Sequence, residues 1–320
     1  MLLAAAASAA LLLVRRFRHP LIAALVLGTL VTADVAWNNG PNESTGLPPA
    51  TYDALRPDTN NETVRLLKDK LQETAAPDRR DRVEMIGIGY HWPNLGLSHR
   101  IEHLFGQNPL RLRDFARATG VGDTVAVPDQ RTFAPFYPSY RSTGADLFGV
   151  RFIATGVPVE QIDRSLRPGD LTLIARTADA YVYENPRALP RVMFVPSVRA
   201  ADFDAIIRSG WPDADPREVV LLEDMPATVP PMAAGSGAAS IVSYGNIRVE
   251  VDVEASANGF LLLNDAWHPW WRAEVDGRPA PLLKANVLFR AVAIPAGRHR
   301  VHFRFAPFLG AWEQLKAKLH

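Results

Sequence analysis

The chain has 320 residues, room for about two domains at ~100–200 residues each and for a sizeable core. Its 35 Lys and Arg are balanced by 34 Asp and Glu, so no basic excess asks for nucleic acid, and no nucleic-acid partner is expected. The absence of cysteine excludes disulfides, thiolate nucleophiles and Cys-ligated zinc.

Residues 1–14, MLLAAAASAALLLV, are continuously apolar; RRFRHP follows, and residues 21–33, LIAALVLGTLVTA, are apolar again before Asp34 and Trp37. Taken as residues 20–37, the second run reaches the short end of the ~17–25 residues that cross a bilayer, and Trp37 is an interfacial type. The pattern predicts two transmembrane helices within residues 1–37. Arg15, Arg16 and Arg18 place the turn between them in the cytoplasm and everything after it outside. A cleaved signal peptide ending near residues 31–33 is the competing pattern and exports the same chain. The first run has no polar start of its own, so the chain reads as the C-terminal portion of a longer multi-span protein.

Residues 38–62, rich in Pro, Asn and Gly, predict an irregular strap. Asp34, Asn38, Asn39, Glu43, Asp53 and Arg56 would then lie near headgroup height, with Arg56 the cation suited to a phosphate. Residues 63–232 predict an α/β domain. Its first helix, over 63–73, puts Val64, Leu67 and Leu71 on one face. Strands are predicted at 82–90, at 149–156, as a pair within 170–186, and at 217–223, with a helix over 200–210 closed by Gly210. From 239 to 307 the pattern is β only, with turns at Asn-Gly, Asp-Gly and Ala-Gly, which predicts a small antiparallel β-sandwich. Residues 308–320 predict an amphipathic helix with Leu309, Trp312, Leu315 and Leu319 on one stripe. The expected fold class is α+β: two transmembrane helices, an α/β middle domain and a C-terminal antiparallel β-sandwich.

Two constellations carry possible chemistry. His99-Arg-Ile-Glu102-His103 is a literal H-x-x-E-H, the inverted zinc-hydrolase pattern, which needs both histidines one turn apart on a helix with Glu102 as base. Gly96 precedes that helix, Gly106 and Pro109 cut it short, and His91 is the one nearby third ligand, so a coincidental match in a loop is expected. Asp265, Trp267, His268, Trp270 and Trp271 form an aromatic patch with polar handles, a common way to hold a sugar ring, with Lys284 and Asn286 on the next strand as further donors. Because a small sandwich needs large residues inside, core packing is expected for most of them, with Trp267 and Trp271 pointing inward and Pro269 shaping an edge bulge, and sugar contact is the other reading. No cofactor is expected.

The C-terminal stretch LLLNDAWHPWWRAEVDGRPAPLLKANVLFRAVAIPAGRHRVHFRF resembles the terminal module of the YfhO-like bacterial membrane proteins, with an aromatic-Pro-x-Trp step, VDG, AN-x-x-FR-x-V and a P-A-G-x-H turn. ADLFGVRFIATG and YVYENPRALPRVMFV are similar to two earlier family segments and occur in the same order, so the resemblance spans residues 140–305. It implies a polytopic protein related to glycosyltransferases that use polyprenyl-phosphate sugars, in the bacterial cytoplasmic membrane with its bulk outside. A catalytic carboxylate in such glycosyltransferases lies in an early external loop that this sequence does not contain. The expected role is therefore to support or bind a glycan or lipid-linked sugar beside the bilayer. A non-catalytic envelope scaffold and a zinc hydrolase are the alternatives.

Overall fold

Helix α1 (Pro20–Asn38) is the first element among the residues that the computed structural model describes, which are 20–38, 48–106, 112–120, 122, 125–226 and 235–319. The chain divides into two compact units, residues 1–53 and 54–320. In the first unit the expectation of two transmembrane helices is corrected. No helix among the described residues is long and apolar enough to cross a membrane. At ~1.5 Å per residue the apolar stretch 21–33 is about 20 Å long, well short of the ~30 Å hydrocarbon layer, and Asp34 follows it inside the same helix. The other apolar run, residues 1–14, lies outside the described residues, as do Asn39 and Glu43.

The second unit begins with α2 (Glu62–Glu73), where Asn61 caps the helix by accepting from the Val64 amide at 3.1 Å. Then come β1 (Arg82–Ile86), α3 (Leu95–His99), α4 (Arg113–Thr119), α5 (Thr143–Leu147), β2 (Val150–Thr155), β3 (Thr172–Arg176) and β4 (Tyr181–Glu184). Next are β5 (Val192–Val195), β6 (Ser197–Ala200), α6 (Phe203–Ser209) and β7 (Val219–Leu222). The C-terminal third supplies β8 (Gly237–Tyr244), β9 (Arg248–Ala255), β10 (Gly259–Leu263), β11 (Trp271–Val275) and β12 (Arg278–Ala280). It ends with β13 (Leu283–Ala285), β14 (Phe289–Ile294), β15 (Gly297–Phe305) and α7 (Pro307–Leu319).

Three sheets result. The first has order β1-β2-β4-β3, with β1 and β2 parallel. The second has order β5-β10-β14-β13-β7-β6, and the third β12-β11-β15-β9-β8. The second sheet takes β5, β6 and β7 from the expected middle domain and β10, β13 and β14 from the expected sandwich, so hydrogen bonds run across the anticipated boundary. Strand alternation explains why. Phe194, Leu261, Leu263, Val292 and Ile294 face the third sheet across the sandwich core, while Met193, Val195, Phe260, Leu262 and Phe289 face a second core on the opposite side. A sheet apolar on both faces is covered on both, by the third sheet and by the helices and loops of residues 105–222. Within that second core, Glu84 of β1 is fully buried. It accepts from Arg131 Nε (2.6 Å), Tyr140 Oη (2.8 Å) and Tyr137 Oη (3.0 Å), which ties the segment 131–140 to the first sheet.

Candidate functional site

The run RRDR at residues 79–82 opens β1. Arg79 turns to Asp81 (2.8 Å), whereas Arg80 and Arg82, two residues apart, both reach a cluster where the first sheet meets the sandwich. Its centre is Asp265, two residues past the end of β10. Asp265 receives Arg82 Nη2 (2.7 Å) and Arg191 Nη1 (3.0 Å) on one oxygen, and Tyr244 Oη (2.5 Å) and Arg290 Nη2 (3.2 Å) on the other. Burial alone would push this carboxyl up, but Arg191, Arg82, Arg290 and the Tyr244 hydroxyl outweigh it and hold the group down at about 2. Glu102 is the second carboxylate, receiving Arg80 Nε and Arg191 Nη2, each at 2.7 Å.

Four arginines thus meet two carboxylates, and the cluster is formally positive. Burial, reinforced by neighbouring guanidiniums, pushes both Arg82 and Arg290 below their ordinary range, whereas Asp265 and Glu102 hold Arg191 above its own against the same burial. A cleft of about 1110 Å³ opens over this cluster, between the segment 93–106 and the β8–β9 turn. Arg80, Arg82, Arg100, Glu102 and Tyr244 line it, and the exposed side chains of Leu97 and Leu112 stand at its rim. Arg80 stacks over the Tyr244 ring at 4.2 Å, keeping its guanidinium at the cleft surface. Arg100 is exposed and pairs with none of the described residues. Its backbone is left-handed (φ 57°) because it ends α3, where glycine is the usual residue.

The H-x-x-E-H residues are not a zinc site. The left-handed Arg100 ends the helix between the histidines, and His103 sits instead in a bridge to Val83. His99 Nε2 contacts the Ala54 carbonyl at 2.5 Å, and His103 Nε2 accepts from the Met85 amide at 2.6 Å. Glu102 belongs to the arginines. Among the described residues no group of three or more His, Asp or Glu is placed to hold a metal.

The aromatic candidates divide. Asp265 is buried in the arginine cluster and Asn286 is fully buried, so neither is available to a ligand. Asn286 and Val287, both at positive φ (47° and 74°), form the β13–β14 turn, and Asn286 Oδ1 accepts from the Leu221 amide of β7 at 2.8 Å. Trp267, His268 and Lys284 do converge, on a small cavity of about 190 Å³. Lys284 is held there by Asp114 at 2.9 Å, with its ammonium 6.0 Å from the Trp267 ring. This cavity shares Leu112 and Phe115 with the large cleft, so one wall separates the two spaces. Trp270 turns away, stacks edge-on against His268 (4.7 Å) and packs on α7. The membrane-proximal candidates do not gather. Asn38 Nδ2 donates to Asp34 Oδ1 within α1 (2.7 Å), Arg56 pairs with the exposed Asp58 (3.2 Å), and Asp53 is exposed in a 3-10 turn, Pro49–Leu55.

Sequence reasoning missed Arg80, Arg82, Arg100 and Tyr244. The RRDR run was the one local signal; the others are scattered along the chain and meet only through the sheets. Comparison with protein-family models, with curated proteins and with solved structures finds no match for this chain.

Proposed function

We propose that this chain is a ligand-binding module of a YfhO-like protein of the bacterial envelope, outside the cytoplasm, and that its cleft holds a polyprenyl-phosphate sugar. The catalytic groups of the glycosyl transfer would come from another part of that machinery. The observation that carries this reading is the cleft's composition. Arg80, Arg82 and Arg100 face it against the single carboxylate Glu102, beneath a rim of Leu97 and Leu112. Guanidinium forks suit phosphate oxygens, and an apolar rim suits the first isoprene units of a lipid. Trp267, His268 and Lys284, behind the Leu112–Phe115 wall, are residue types that commonly hold a sugar ring, which supports the sugar half of the reading.

The test is titration of the protein with farnesyl phosphate, with farnesol as the uncharged control. Saturable binding of the phosphate and not of the alcohol is expected. Arg80→Ala combined with Arg100→Ala should weaken it by roughly tenfold or more, the worth of one charge-assisted hydrogen bond. No binding, or equal binding of the alcohol, sinks the reading and leaves the scaffold alternative.

A further inference from the structure

The C-terminal helix α7 packs in an unusual orientation. Its buried contact with the body is Gly310, which lies against the Trp270 indole so closely that any side chain at this position would overlap it, and Glu313 adds an ion pair to Arg272. At ~100° per residue, Phe308, Trp312, Leu315 and Leu319 centre about 180° from Gly310. The apolar stripe therefore points away from the protein. Phe308 is 92% exposed, Trp312 55%, Leu315 50% and Leu319 75%. An amphipathic helix normally buries that face.

We infer that α7 lies on the surface of a bilayer rich in anionic lipid, with this stripe sunk into the headgroup boundary. Three observations choose that occupant. The helix ends in Lys316 and Lys318, and its one acid, Glu313, is neutralised by Arg272, so the exposed charge is basic and complements anionic headgroups. Trp312, with Lys316 above its ring at 5.3 Å, is an amphipathic residue of the kind that sits at the water–lipid boundary. Over its 13 described residues the helix is about 20 Å long, enough to lie flat on a bilayer. The inference does not rest on the cleft, and either can fail without the other.

The chain has no cysteine, so single substitutions report one position each. Leu315→Cys and Ala317→Cys in the full chain, each labelled with an environment-sensitive fluorophore, place a probe on the apolar stripe and on the opposite face. On phosphatidylglycerol vesicles the label at 315 should shift to the blue and be quenched by nitroxide lipid, while the label at 317 stays as in water. Lys316→Gln with Lys318→Gln should raise the lipid concentration needed by roughly tenfold or more. Equal signals at 315 and 317, or none at either, overturn the inference. So does a shift at 315 without lipid that grows with protein concentration, which would mean a second copy of the chain covers the stripe.

Discussion

Glu102 Oε2 accepts from Arg191 Nη2 at 2.7 Å, and this contact joins the first sheet's entrance to the strand that begins the sandwich. The side chain that the H-x-x-E-H pattern would make a catalytic base is instead one of two carboxylates set among four arginines. Both carboxylates are needed, because a guanidinium removed from water without an opposite charge costs several kcal/mol.

Asp265→Asn should therefore lower the free energy of unfolding by about 3–5 kcal/mol, since Arg82 and Arg290 would lose their one carboxylate and Arg191 would keep Glu102 alone. Urea denaturation at neutral pH measures it. A loss below about 1 kcal/mol would mean that water or another anion already compensates the arginines.

His103 sets an acid limit. Burial pushes its imidazole down from 6.5 to about 3, and Nε2 is occupied in accepting from Met85. The unfolded chain takes a proton near 6.5 that the folded one refuses until about 3, so stability falls as pH drops through that window, by up to about 1.4 kcal/mol per pH unit. His103→Gln keeps the acceptor and removes the titration. Its stability should vary less between those pH values in denaturation curves run side by side.

Arg100→Gly separates binding from folding. Glycine relieves the left-handed backbone at φ 57° and should stabilise the chain by about 0.4–1 kcal/mol, while removing a cleft cation should weaken farnesyl phosphate binding. Thermal denaturation and titration on the same variant check both directions. A stabilised variant with unchanged binding would remove Arg100 from the site.

Gly310→Ala should dislodge α7, because the new methyl would fall within the Trp270 indole. Hydrogen exchange of the α7 amides should rise strongly, with global stability reduced by about 1–3 kcal/mol or less.

Local signals carried much of the helical layout. Asn61 and Asp202 cap α2 and α6, and Gly210 (φ 98°) closes the latter at the residue that spacing pointed to. Strand alternation marked β9 and β15 equally well. What spacing does not encode is partnership. VMFV at 192–195 is apolar throughout, consistent with a strand buried on two sides, but nothing local says that it pairs with residues 260–263. The site follows the same rule. Trp267 and Lys284 stood out as residue types and do share a cavity, whereas Asp265 and Asn286, equally prominent, are consumed by buried bonds to distant chain. Asp34 interrupts an apolar run in a way that a hydropathy window averages out.

The pairing of β5 with β10 and of β7 with β13 also has a temporal meaning. During synthesis, residues 192–222 emerge with the edges that later bind β10 and β13, and the face that later meets the third sheet, unpartnered until the strands up to Ile294 follow about seventy residues later. Such long-range closure is slow to nucleate and leaves sticky strands waiting. A truncated product ending near residue 230 should therefore aggregate rather than fold, and the half-finished chain is the form of this protein with most need of a chaperone.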